Sequence, residues 1–290
     1  MKTFLSIFIF CIVLFLYIHT YFHLKTSDDL EIYEIDSPTK SSLEDICDLR
    51  QPITFNLPNE QLQSYCAQKS LLDKYGSFDI KMRDISHEET TEDISTPIQL
   101  HSGLQVFKDD KTGKYISENN SEFLSETGVG KLFRINDLMF RPYMVCNSLY
   151  DILFGAPNSH TPLRYEINYR NFFYVTEGSV KVKLIPPRST KYLHLHKDYY
   201  NFEFRSPINP WDVQDKYKGD FSKVQSLEVT LKKGDVLFVP AYWWYSILIS
   251  DTSATILSMK YRTYMNVVAT LPYFAMSVLQ RQNTKIGLVA

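Results

Sequence analysis

From Phe4 to Ile18 every residue except Ser6 is apolar, and His19 to Leu24 prolong the run. The hydrocarbon core of a bilayer takes about 20 mostly apolar helical residues, with aromatic side chains favoured where the helix meets the headgroups. The run has that length once Tyr17, Tyr21 and His23 are counted at its interfacial end. A cleaved leader carries a shorter apolar region closed by small residues. This run ends instead on Tyr21, Phe22, His23 and Leu24, which predicts a retained membrane anchor over residues 1–25, in contact with lipid through residues 4–24. Lys2 on one side nearly balances Lys25 on the other, with Asp28 and Asp29 close behind. The expected topology is single-pass, with the amino terminus cytoplasmic and the remaining chain luminal or extracellular.

The rest of the chain reads as globular. Its 290 residues are 44% hydrophobic and 22% charged, enough apolar content for a packed core. Twenty Tyr and 19 Phe favour sheets over helical bundles, because aromatic side chains suit a pleated, half-buried surface. A net charge of −2 lacks the basic footprint of a nucleic-acid binder.

Residues 26–42, polar and acidic around Ser37, Pro38 and Thr39, are expected to form a tether, followed by one domain over 43–290. Cys11 lies in the anchor. Cys47 and Cys66 either pair in an oxidising compartment, leaving Cys146 buried and free, or all three are reduced core thiols. Asn119, Asn120 and Ser121 form a glycosylation sequon, usable if that side is luminal.

Alternating segments appear in the second half. Asn171 to Val175 and Val180 to Leu184 read as a hairpin around Glu177 and Gly178. Ser226 to Leu231 and Val236 to Val239 flank a Lys233–Gly234–Asp235 turn; Tyr245 to Ile249 and Ala254 to Met259 flank Ser250 and Asp251. Short strands at regular spacing with Gly and Asp turns predict a mainly β, α+β domain built as a sandwich or barrel. Glu60 to Tyr75 has helical spacing.

Two of these segments resemble the cupin-like branch of the JmjC-type dioxygenases. One is Thr161-Pro162-Leu163-Arg164-Tyr165-Glu166, followed by Asn171-Phe172-Phe173, Gly178 and Pro186-Pro187. The family pattern there is T-P-x-H-x-D, then N-F-F, G and P-P. The other runs from Lys233 to Tyr245 through Gly234-Asp235 and Pro240-Ala241-Tyr242-Trp243-Trp244, where the family has G-D-x-L-F-I-P-x-x-W-W-H. The resemblance implies a double-stranded β-helix behind the transmembrane helix. It also implies Fe(II) and 2-oxoglutarate as cofactors, held by H-x-D and a distant His in a facial triad with open positions.

Carried over residue by residue, those ligands become Arg164, Glu166 and Tyr245. A guanidinium offers only donors and cannot ligate iron. The expectation is therefore a degenerate metal site without metal, catalytic residues or cofactor, in which Arg164 either pairs with Glu166 or both face solvent. With Gly178 and Pro186-Pro187 fixing the register, the family's basic residue that anchors the oxoacid falls near Val180, and Lys181 beside it points to the opposite face. Thr161, Asn171 and Trp243 are the candidate pocket residues that remain. One extra residue between Glu166 and Asn171 departs from the pattern.

Other candidates are weaker. His194 and His196 share a strand face but lack an evident third ligand, so two exposed imidazoles are the favoured reading. Tyr199, Tyr200, Phe202, Phe204 and Trp211 line a peptide groove or, preferentially, form a lid over the barrel. Trp243 and Trp244 are expected on opposite sides of a strand. Met265 to Leu279, interrupted by Pro272, is expected as a packing or dimer helix, and the resemblance implies a homodimer through it. The functional expectation is a membrane-anchored, catalytically silent binding or scaffold module with an unidentified protein partner. The alternatives are a hydroxylase with a non-standard metal site recruiting Glu166 with His160 or His194, and a receptor for a small carboxylate held by Arg164.

Overall fold

The structure is a computed structural model describing residues 2–85, 95–250 and 253–287. Asp251, part of the turn expected at Ser250, lies outside them, as do the last three residues of the expected domain.

The apolar run folds as one helix, Lys2–Leu24, long and apolar enough to cross a membrane. The 18-residue window that qualifies it has no buried share. Residues 26–42 are not a free tether. Ile32 and Ile35 turn inwards, and Tyr33–Ile35 forms a parallel strand against Ile53–Phe55. The Asp28 carboxylate accepts from the Arg188 amide at 2.8 Å, and that of Asp29 from Gln51 at 2.9 Å. The apolar residues Ile32 and Ile35 within this acidic segment account for its docking. Thr39 then caps the helix Lys40–Cys47 in a reciprocal capping box with Ser42. The helical stretch after Asn59 is split into Glu60–Tyr65 and Gln68–Tyr75.

Among the described residues the strands form a nine-stranded and a six-stranded sheet, antiparallel apart from the Tyr33–Ile35 pair. Arg170–Glu177 and Ser179–Ile185 do not form the hairpin the sequence suggests. The first pairs with Asp235–Val239 and Ala254–Thr263 in the larger sheet; the second pairs with Trp244–Ile249 and Leu227–Lys232 in the smaller one. Gly178, at φ +79°, is the corner where the chain changes sheets. Gly234, at φ +97°, serves the same purpose between Leu227–Lys232 and Asp235–Val239. Hairpin turns and sheet-changing corners draw on the same left-handed glycine, so local sequence does not distinguish them.

Alternation along each strand sorts the core into layers. Phe173, Val175, Val182, Leu184, Trp243, Tyr245 and Ile247 belong to one buried cluster spanning both sheets. Phe172, Tyr174, Phe238 and Tyr261 turn the other way, onto helices carrying Leu43, Cys47, Leu62, Leu104, Phe123 and Phe133. Tyr165, Ile185 and Trp244 pack under the 188–223 segment with Leu193 and Phe204. Trp243 and Trp244 thus face opposite ways, as the sequence predicts. Cys47 and Cys66 are separate buried thiols, while Cys146 is exposed rather than buried.

Candidate functional site

The smaller sheet places Arg164 and Tyr245 side by side, as Cα partners on adjacent antiparallel strands. Arg205 pairs with Arg164 on the other side, so the 188–223 segment supplies the neighbouring strand as well as a cover. Across from them, Ala254–Thr263 of the larger sheet brings Lys260 and Arg262. A cavity of about 120 Å³ lies between, lined by Arg164, Glu166, Asn168, Glu203, Lys260 and Arg262 among others.

The groups here are tied into one polar network. Arg164 Nε donates to the Tyr245 hydroxyl at 3.2 Å, and that hydroxyl donates to Glu166 Oε1 at 3.1 Å. Lys260 Nζ reaches the same Glu166 oxygen at 2.6 Å, and Asn168 donates to the other at 3.1 Å. Arg164 does not pair directly with Glu166. Its carboxylate partner is Glu118, at 2.5 Å, which also holds Arg83 at 3.1 Å. Glu203 stands 3.8 Å from Arg164 and 3.6 Å from Arg205, and Arg262 donates to Asn168 at 2.6 Å. Arg164 reaches Glu118 because the Tyr115–Ser117 strand, paired with Val145–Gly155, ends just before it.

Nor do Arg164 and Glu166 face open solvent. Arg164, Glu118 and Arg83 are buried, and the side chain of Glu166 is 13% exposed. Buried charges are tolerated when they are paired and hydrogen-bonded. Burial alone would push both carboxyl groups up, but Arg164 and Arg83 hold Glu118 below its ordinary range, and Lys260 and Arg164 do the same for Glu166. Burial pushes the Tyr245 phenol up to about 12, so it stays protonated at neutral pH. As a donor set for Fe(II) this does not fit. A guanidinium and an ammonium bring no lone pair, the phenol is neutral, and both Glu166 oxygens are engaged. Among the described residues no three His, Cys, Asp or Glu side chains cluster to hold a metal.

The remaining predicted residues have structural partners. Thr161 is buried, and its hydroxyl accepts from the Ile247 amide at 2.9 Å. Asn171 donates to the Val239 carbonyl at 3.1 Å, and Trp243 is fully buried in the layer between the sheets. Asn119 is exposed, its backbone amide donating to Asp151. His160 lies 3.1 Å from Asn209, and exposed His194 lies 3.1 Å from Asp220. The aromatic segment packs as a lid: Phe204 stacks on Tyr165, Phe202 meets Phe274, and Trp211 donates to Ser246 at 2.9 Å.

Sequence reasoning missed Glu118, Lys260, Arg83, Glu203 and Arg262. Lys260 and Arg262 did carry a signal, being charges two apart closing an otherwise apolar strand and therefore on one face. Glu118 carried none, since its partner lies 46 residues away.

Known proteins share this framework. Residues 63–267 match the family model for the cupin-like domain. The chain is 32% identical over 94 residues to human HSPB1-associated protein 1, covering 32% of this chain and 19% of that protein. It is 24% identical over 159 residues to the Arabidopsis thaliana lysine-specific demethylase JMJ31, covering 53% of this chain and 28% of that one. Mouse tRNA wybutosine-synthesizing protein 5 is 28% identical over 112 residues, 38% of this chain and 33% of its own length. The chain thus spans between about a fifth and a third of these curated relatives. The motifs around Arg164 and Tyr245 and the strands that carry them lie inside the matched region, and the chain belongs to the cupin-like domain family, with JmjC-type relatives.

Proposed function

We propose that this chain is a membrane-anchored cupin-like domain whose double-stranded β-helix has exchanged its metal triad for an ion-pair network, and that it acts as a binding or scaffold module rather than as an enzyme. The observation that carries the reading is Arg164. Its guanidinium, bound to Glu118 and hydrogen-bonded to Tyr245, sits where two facing sheets would bring a metal and a co-substrate together. Glu118 and Glu203 already occupy it, which also disfavours a role in capturing a free carboxylate.

A protein partner fits this reading. One relative's name describes association with HSPB1, and two others are named as a demethylase and a tRNA-modifying protein. The net charge of −2 favours a protein over a nucleic acid. The Lys2–Leu24 helix would hold the domain at a membrane, on the luminal or extracellular side. Exposed Asn119 supplies the test of side, since a glycosidase-sensitive mobility shift that disappears in Asn119→Gln requires a luminal domain.

The functional test is elemental analysis of the purified full chain combined with a 2-oxoglutarate turnover assay. The expected result is iron well below one per chain and no decarboxylation above background. Stoichiometric iron with turnover would reject the scaffold reading in favour of a hydroxylase.

A further inference from the structure

We infer that the carboxy-terminal helices Tyr264–Ala269 and Leu271–Gly287 lie in the membrane interface, so that the domain is seated on the bilayer rather than suspended from it; this rests on the reading of Lys2–Leu24 as a membrane span. Three observations lead there.

The first is an uncovered apolar helix face. Leu271, Ala275, Val278 and Leu279 follow the helical repeat i, i+4, i+7, i+8, and all four are exposed, Leu271 by 59% and Val278 by 57%. The opposite face is the one packed on the domain, where Ser277 is buried and Gln280 accepts from the Tyr199 amide. Such a stripe is costly in water and marks an interaction surface.

The second is continuity with the anchor. The last turns of Lys2–Leu24 pack on Tyr264–Ala269: His23 is buried, its Nε2 3.2 Å from the Thr263 hydroxyl, and its ring meets that of Tyr169. Arg50 lies over the Phe22 ring and donates to its carbonyl. Tyr264 and Val268, exposed on the short helix, continue the apolar surface from the anchor towards Leu271.

The third is length. The apolar run starts at Phe4, after Lys2, and its residues are all exposed up to Ile18. At 1.5 Å per residue that free stretch covers roughly 22 Å, short of a hydrocarbon core about 30 Å thick. The missing depth comes from His19 to Leu24, which the domain already touches. The elements packed there therefore sit at the level of the headgroups and upper acyl chains. An amphipathic helix in that position buries its apolar face roughly 5–10 Å deep. A second copy of the chain could cover the stripe as well, but it would not explain why the stripe adjoins the point where the anchor leaves the lipid.

The test uses the full chain reconstituted into phosphatidylcholine vesicles, with or without lipids bearing a nitroxide quencher near the headgroup. In a Cys11→Ser, Cys146→Ser background, Val278→Cys or Leu271→Cys carries an environment-sensitive dye, with Lys108→Cys as an aqueous reference. The native thiol of Cys11, exposed within the span, reports insertion in a separate Cys146→Ser sample through lipids bearing the nitroxide deep in the acyl chain. Cys47 and Cys66 are buried, their thiols pushed up to about 12 by burial, and do not label in the folded chain. Dyes at 278 and 271 are expected to be blue-shifted and to lose about half their intensity or more to the shallow quencher, as interfacial residues do. Quenching at Cys11 but not at 278 or 271 overturns the seating while the anchor stands. Failure at Cys11 as well overturns both. A blue shift at 278 without lipid quenching, together with cross-linking between copies through that position, overturns the seating in favour of a dimer.

Discussion

The Lys260 ammonium reaches across from the larger sheet to the Glu166 carboxylate, which follows the Arg164–Tyr165 strand of the smaller one, over 2.6 Å. Elsewhere the sheets face each other through Val, Leu, Ile and aromatic side chains; at this end they meet through charge. Arg83, Arg164, Arg205, Lys260 and Arg262 outnumber Glu118, Glu166 and Glu203, so every carboxylate in the network is needed.

Glu118→Gln keeps an acceptor oxygen but removes the negative charge that Arg83 and Arg164 share, so two buried guanidiniums lose their common carboxylate. Breaking a buried pair from one side costs about 3–5 kcal/mol. Urea denaturation is expected to show a loss of that order with an unchanged slope. A loss within about 0.5 kcal/mol, the range of ordinary surface changes, would mean that the network is dispensable.

The same network sets an acid limit. Glu118 and Glu166 are held below their ordinary range in the folded chain, so the stability they contribute is complete above the unfolded value of about 4.5 and is lost as pH falls through the lower folded values. Burial pushes the Asp151 and Glu44 carboxyls up, which acts in the opposite sense, but Asp110 and Asp220 join Glu118 and Glu166 among the groups held low. The melting temperature is expected to slip slightly below about pH 6.5, because burial holds the His160 imidazole below its ordinary range, and to fall more steeply below about pH 5. A melting temperature that rises between pH 5 and 3 would contradict the assignment.

Restoring the family's ligands should not by itself restore a metal site. With Arg164→His, Glu166→Asp and Tyr245→His in place, Lys260 still presents an ammonium to the carboxylate and repels a divalent cation. Adding Lys260→Met is expected to tighten Co(II) binding at least about tenfold over the triple variant in calorimetry, equivalent to about 1.4 kcal/mol. Equal affinity for the two variants would show that the ammonium is not the obstacle.

Gly178→Ala tests the corner between sheets. A Cβ there would stand 2.7 Å from the Ser253 carbonyl oxygen and 2.9 Å from Ala254, at a left-handed φ that already costs an L-residue about 1–2 kcal/mol. A loss exceeding that strain is expected in thermal melts. Gly219→Ala, where the added Cβ meets nothing within 4 Å, should be nearly neutral.

Much of the strand content could be read from the sequence because period-2 alternation is a local property. Asn171 to Val175 and Val236 to Val239 are strands, and the two tryptophans face opposite ways. Pairing is not local. The partner of Phe172 is Phe238, and nothing near either residue says so. The candidate site divides along the same line. Arg164, Glu166 and Tyr245 could be found because motifs carry their positions, and the three do meet. Glu118, which neutralises Arg164 from just beyond a strand of the larger sheet, and Lys260, which neutralises Glu166 from another strand of that sheet, come from far along the chain. The expected Arg164–Glu166 pair was the nearest opposite charge in sequence, and the fold supplied nearer ones in space.

The sheet changes at Gly178 and Gly234 also bear on how the chain acquires its structure. At these two corners successive strands go to opposite sheets, and Ala254–Thr263, the last strand among the described residues, lies between Arg170–Glu177 and Val145–Gly155 in the middle of the larger one. Until it is in place, that sheet exists as two pieces with open edges. Contacts this distant in the chain make for slow folding. Under the proposed anchoring by the first helix, a ribosome-bound chain would present unpaired edges beside a membrane until synthesis had passed Thr263, a stage at which chaperones have most to offer.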